Sequence, residues 1–112
     1  MDVYLLVKSL CDRPETYTGE RRFPSVAAWV NGFHSGLPGG SEAAEVLSGF
    51  TEWLHRRLHC PRNYAWMACV RMAHPDDEEA IRQLPVLLEE YIGIRGHDRP
   101  RRQTVKPEVD SE

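Results

Sequence analysis

This chain of 112 residues lacks most of the sequence features that identify a function directly. We find no glycine-rich phosphate-binding loop, no catalytic signature and no strong metal-binding spacing in it. The strongly apolar run near the N-terminus, 3–7, is far shorter than the roughly 20 residues needed to span a bilayer, and no small-residue cleavage pattern follows it. We therefore expect a cytoplasmic protein without a membrane segment.

Cysteine and excess positive charge are also scarce. The three cysteines, Cys11, Cys60 and Cys69, are an odd number in a chain long enough to build a core without cross-links, so we expect reduced, buried thiols. The net charge of -3 argues against a general nucleic-acid binder, which needs a concentrated basic face. Residues 1–93 carry nine basic and thirteen acidic side chains, and residues 94–112 carry five and four. The predicted folded part is therefore acidic.

Apolar residues recur at helical spacing along the first third of the chain. Val3, Leu6, Val7 and Leu10 predict a helix over about residues 2–12. The segment 14–24 has two prolines, a glycine and no sustained period, which predicts a loop. Ser25 is a suitable N-cap for a second helix that ends near Gly36.

Three further amphipathic segments follow with little connecting sequence. Ser41 opens a segment over 41–59, which Gly49 could bend or divide in two. Asn63 can cap the next helix, whose residues are apolar on nearly all sides, so we expect it to be the central helix. The last helix opens with acids that suit a helix N-terminus and ends near Gly93, and Pro85 should kink it. Together these patterns predict an all-α bundle of about five helices over 1–93, followed by a flexible charged tail over 94–112.

His55 and His59 are the residues that most resemble metal ligands. They lie one helical turn apart with Cys60 adjacent, so their imidazoles could meet at a metal ion. The segment HRRLHC lacks the glutamate of a zinc hydrolase helix, offers no third ligand nearby, and places two arginines between the histidines. We therefore predict no metal and no cofactor, with a metal-dependent enzyme using His55 and His59 kept as an alternative.

The acidic run at the start of the last helix is the best candidate for a binding surface. Asp76, Asp77, Glu78 and Glu79 could attract a basic partner, although such acids also suit a helix N-terminus for structural reasons alone. Tyr64 and Trp66 belong to a helix with apolar residues on all sides, so at least one should reach the surface. Exposed aromatic residues beside charge are frequent at interface hot spots. We predict a protein-binding surface formed by these six residues.

Three stretches carry a resemblance to known proteins: RPETYTGERRFPSVAAWVNGF, FTEWLHRRL, and YAWMACVR followed by PDDEEAIRQLPVLLEEYI. They resemble a family of small, helical, largely uncharacterised bacterial proteins. In that family an Arg-Pro…Tyr-x-Gly loop precedes a helix ending in Gly-Tyr or Gly-Phe, and a Trp-containing helix leads to a last helix that opens with acids. The likeness covers about residues 13–92 and implies an all-α bacterial protein. It assigns no catalytic residues, and Pro85 departs from its uninterrupted last helix.

These observations lead us to expect a non-enzymatic protein-binding module. The specific form of this hypothesis is an immunity-type or antitoxin-type inhibitor, in which an acidic domain covers the basic active-site cleft of a bacterial toxin. The alternative from another class is an accessory or regulatory subunit of a larger enzyme, which would need an apolar rather than an acidic contact patch. The sequence leaves the oligomeric state open.

Overall fold

Six helices make up the part of the chain described by the computed structural model, which covers residues 2–98 with side chains as far as Ile94. They are α1 (Val3–Asp12), α2 (Pro14–Thr18), α3 (Phe23–Ser35), α4 (Glu42–Arg57), α5 (Trp66–Ala73) and α6 (Asp77–Asp98). No strand occurs within the described residues. The prediction of an all-α bundle is confirmed.

The N-terminal half contains one helix that the sequence pattern did not predict. Pro14 opens the short helix α2, because proline suits the first position of a helix, where its missing N–H has no intrahelical partner. Gly19 ends α2 with a φ of 86°, a left-handed conformation that glycine adopts readily. Helix α3 begins at Phe23, so Ser25 lies inside it instead of capping it, and its hydroxyl donates to Glu20. The prediction of an uninterrupted loop over 14–24 is therefore wrong.

Helix α4 is a single helix, and its glycine is explained by packing. Ser41 caps it as predicted, accepting a hydrogen bond from the Ala44 N–H at 3.2 Å. A Cβ atom added at Gly49 would overlap the hydroxyl of Tyr91 on α6. The Tyr91 ring is buried and packs against Phe50 and Trp53, with centroid separations of 5.8 and 5.6 Å. Gly49 therefore lets α4 and α6 approach closely.

Helix α6 is the central helix of the described bundle, a position that the sequence pattern assigned to α5. It contacts α1, α3, α4 and α5, and it continues through the buried Pro85. By contrast, α5 has only eight residues, and its Met72 and Ala73 are exposed. The predicted cap Asn63 lies outside it, since α5 begins at Trp66. Helix α6 extends past Gly93 to Asp98, and the rest of the predicted tail, 99–112, lies outside the described residues.

Two of the three cysteines form a disulfide, which corrects the expectation of three reduced thiols. Cys60 follows α4 and Cys69 lies on α5, and the segment between them folds back so that their Cα atoms are 5.7 Å apart. Both residues are buried. Cys11 is free and buried on α1, and burial raises the pKa of its thiol to about 12. The sequence pattern gave no sign of the pairing, because it depends on the path of the connecting segment.

None of the helices that the structure describes combines the length and apolar character needed to cross a membrane.

Changing Gly49 to alanine should destabilise the fold. Alanine gains about 1 kcal/mol of helix propensity over glycine, but its methyl group must displace the buried Tyr91 ring, and overpacking of this kind costs typically 1–3 kcal/mol. We expect a net loss of up to about 2 kcal/mol, measured as the free energy of unfolding in urea. Gly32→Ala is the matched control, because a Cβ at Gly32 meets no atom within 4 Å. If both variants were stabilised equally, the close approach of α4 and α6 would be refuted.

Candidate protein-binding surface

A shallow apolar groove of about 280 Å³ lies between α3 and α5. The small side chains of Ala27 and Ala68 leave space between the two helices, and aromatic, proline and thioether groups complete the walls. Its lining residues are Phe23, Pro24, Ala27, Met67, Ala68 and Arg71. Arg71 contributes the only charge among them, and its guanidinium carbon lies 5.3 Å from the centroid of the Phe23 ring. We call this feature the α3/α5 groove.

Trp66 holds the two walls of this groove together from the protein interior. Its Nε1 donates to Asn31 Oδ1 on α3 at 2.8 Å, and its ring meets that of Phe23 edge to face with a centroid separation of 6.2 Å. The Asn31 amide also lies 3.9 Å from the sulfur of Met67. Only 9% of Trp66 is exposed. It therefore fixes α5 against α3 and lies in the interior, below the surface that the sequence predicted for it.

Tyr64 reaches the surface as expected, but away from the acidic residues. Its side chain is 39% exposed in the segment before α5, and its carbonyl accepts a hydrogen bond from His55 Nε2 at 2.8 Å. The eight residues of α5, about 12 Å at 1.5 Å per residue, separate Tyr64 from Asp76. The predicted aromatic and acidic halves of the surface thus lie at opposite ends of α5.

Asp77 belongs to an ion-pair cluster at the C-terminal end of α5. Its carboxylate accepts a hydrogen bond from Arg71, which also donates to the Pro75 carbonyl at 2.6 Å. Arg22 Nε lies 3.8 Å from the other carboxylate oxygen. The hydrogen bond from Arg71 lowers the pKa of Asp77, assisted by the nearby positive charges. Because Arg71 also lines the α3/α5 groove, the cluster forms one end of it.

The other three acids also have defined structural roles. Glu78 pairs with Arg21 at 3.4 Å, and Glu79 pairs with Arg82. The Asp76 carboxylate accepts the Glu79 N–H at 3.0 Å and so caps the start of α6. The acidic run is therefore largely balanced by arginines from α5, α6 and the segment before α3. The local negative charge is therefore smaller than the four carboxylates alone indicate.

The histidine pair does not form a metal centre in the described part of the chain. His55 Nε2 is occupied by the Tyr64 carbonyl, and Cys60 is in the disulfide. His59 adopts a φ of 55° at the end of α4, where the Cys60 N–H bonds back to the His55 carbonyl at 2.9 Å. Among the side chains that the structure describes, up to Ile94, no three His, Cys, Asp or Glu residues are arranged to hold a metal ion. The alternative of a metal-dependent enzyme gains no support from this geometry.

A second groove, of about 400 Å³, lies between α1 and α6 and is more polar. Its lining includes Lys8, Asp12, Arg21 and Glu78. These four side chains form two ion pairs, Lys8–Asp12 at 3.2 Å and Arg21–Glu78 at 3.4 Å. The paired charges must be rearranged before a ligand can use them. We therefore consider the α3/α5 groove the better contact surface.

No family model, no curated protein and no solved structure matches this chain. The function of this chain is therefore inferred from its residues and their geometry.

The sequence pattern missed the groove because α5 is apolar on nearly all sides and was therefore predicted to be buried. Met67 and Ala68 fit a buried helix equally well, and nothing local indicates that α3 leaves them partly uncovered. Phe23 and Pro24 lie in the stretch that was predicted to be a loop. The available signal was the short length of α5. A helix of eight residues is too short to be covered by several neighbours, so part of its apolar surface should remain exposed.

Replacing Asp77 by asparagine should change how stability depends on pH. The pKa of Asp77 is lowered in the folded state, so its pairing stabilises the fold above the ordinary carboxyl pKa, and this contribution is lost as pH falls through the lowered value. We expect Asp77→Asn to lower the urea midpoint at pH 7, and the difference from wild type to shrink as the pH falls below the ordinary carboxyl pKa. The exposed Glu52, changed to glutamine, is the control. A difference that stayed constant with pH would contradict this assignment.

Proposed function

We propose that the chain is a non-enzymatic protein-binding module whose partner inserts apolar side chains into the α3/α5 groove. The observation that carries this proposal is the apolar lining of an open surface groove. Met72, one helical turn after Ala68, extends the apolar surface and is 45% exposed. Contiguous exposed apolar surface bordered by charge is characteristic of interaction sites.

The charge of the chain favours a partner with a basic surface. Residues 1–93 carry four more acidic than basic side chains, and opposite charge on a partner accelerates encounter. The arginines of the ion-pair cluster reduce the local negative charge. Charge therefore contributes to the rate of encounter more than to affinity. Affinity then comes mainly from apolar contacts in the groove.

The most specific form of the proposal is an immunity-type or antitoxin-type inhibitor of a bacterial toxin in the cytoplasm. Two observations support it: the acidic balance of residues 1–93, and a groove able to anchor one segment of a basic protein. In this role the domain covers the toxin's active-site cleft and excludes the substrate by shape and charge.

The apolar character of the groove also favours an accessory or regulatory subunit of a larger enzyme. Such subunits associate through apolar contacts and remain bound throughout. The two functions differ in what happens without this chain: an inhibitor's partner becomes toxic, whereas an enzyme that has lost its subunit becomes less active.

A charge placed in the groove should abolish partner binding. We expect Ala68→Glu to reduce capture of the partner from a native lysate at least tenfold, because a buried unpaired carboxylate costs several kcal/mol. The measurement is quantitative mass spectrometry of proteins retained on immobilised wild-type and variant chains.

Ala28→Glu is the matched control, because Ala28 is exposed on α3 and does not line the groove. It should retain the partner. The inhibitor hypothesis further requires that the captured protein be basic and that its expression without this chain stop growth. A partner that is retained equally by Ala68→Glu would refute the groove as its binding site.

A further inference from the structure

We propose that the Cys60–Cys69 disulfide is a redox-controlled latch on the α3/α5 groove. In the oxidised form α5 is held in place and the groove is complete; in the dithiol form α5 is released and the groove loses one wall. This inference depends on the proposed function for its biological meaning, because it describes how that same surface is regulated.

The disulfide closes a loop that runs from the end of α4 into α5. It links the residue after the turn that ends α4 to the middle of α5, and nine positions separate the two cysteines. Residues 61–65 within this loop are exposed and contain no helix. Besides the disulfide, the hydrogen bond from His55 to the Tyr64 carbonyl connects the loop to α4. The covalent bond is thus the strongest restraint on the path into α5.

Helix α5 has little intrinsic stability of its own. At eight residues it is shorter than the roughly 12–15 residues that an isolated helix needs to be even marginally stable. Ala65 occupies its N-cap position and offers no side-chain hydrogen bond to the first turn. Its buried contacts come from Trp66, Cys69 and Val70. Losing the cross-link therefore affects α5 more than the longer helices.

One wall of the groove belongs to α5 and the other to α3. Met67, Ala68 and Arg71 form the first wall, and Arg71 also pairs with Asp77. The α3 wall includes Phe23 and Ala27, which are buried against the rest of the core. When α5 is released, the groove is lost while the α3 wall stays in place.

The expected compartment makes reversible oxidation the relevant chemistry. In a reducing cytoplasm disulfides are transient and serve redox sensing, whereas permanent cross-links belong to oxidising compartments. Glutathione disulfide can supply the oxidation by thiol–disulfide exchange. The Cys60–Cys69 bond forms, the bond of glutathione disulfide breaks, and two glutathione molecules leave with the two electrons and two protons. Reduction by glutathione is the reverse reaction.

The remaining cysteine does not interfere with this exchange. Cys11 is buried on α1, and its pKa of about 12 leaves almost no thiolate at neutral pH. The exchange is therefore confined to Cys60 and Cys69. Cys60 borders the exposed segment 61–65, so glutathione reaches it when that segment opens locally.

Hydrogen exchange of the purified protein tests the latch without any partner. The protein is equilibrated with defined ratios of reduced to oxidised glutathione, the disulfide fraction is measured by alkylation and intact mass, and amide exchange is followed by mass spectrometry. We expect reduction to accelerate exchange in residues 66–73 at least about tenfold and to leave residues 3–12 within about twofold. A Cys60→Ser/Cys69→Ser variant should match the reduced protein at every ratio, and Cys11→Ser should respond like wild type.

Three results would overturn the latch. The first is equal exchange of α5 in the oxidised and reduced proteins. The second is a bond that never forms with glutathione disulfide. The third is a bond that glutathione reduces only when α1 and α6 also lose protection, which identifies a permanent structural cross-link. These measurements need no partner, so their outcome is independent of the Ala68→Glu capture experiment. A latch can be found even if the groove binds nothing.

Discussion

Burial of one face of α6 is the interaction on which the rest of the structure depends. The apolar residues of this face contact four other helices and are almost completely removed from water: Ala80, Ile81, Leu84, Leu87, Leu88 and Tyr91. Each large aliphatic side chain buried in this way contributes about 1.5–3 kcal/mol. The short helix α5 has no comparable core of its own, so it is ordered by packing against α4 and α6 and by the disulfide.

The candidate surface follows from how α3 and α5 share this support. Both helices pack on α6, and the alanines between them leave a groove that no other described side chain fills. Trp66 fixes the separation of the walls through Asn31, and the Arg71–Asp77 pair joins the groove to the start of α6. The groove is suited to binding because its lining is apolar apart from Arg71, and Arg71 is already paired with Asp77.

Local patterns in the sequence predicted the helices well and the site poorly. Helical period and the Ser41 cap predicted α1 and α4 because those signals act within a few residues. Pro14 was misinterpreted, since proline favours a helix start as well as a helix end. The ion pairs between the acidic run and its arginines, and the Cys60–Cys69 bond, depend on how the chain folds back on itself. The local sequence around Trp66 is compatible with either a surface or an interior position. These non-local contacts determine the site, so it was only partly predictable.

Site-specific photo-cross-linking in living cells is the most direct test of the claim that this protein acts through the α3/α5 groove. A photoreactive amino acid at Met72, beside the groove, is compared with one at Leu5, which is also exposed but lies on α1. The account predicts a single discrete adduct with a basic protein from position 72 and none with that protein from position 5. An adduct with the same protein from Leu5 alone, or only cross-linked copies of this chain from Met72, would contradict it.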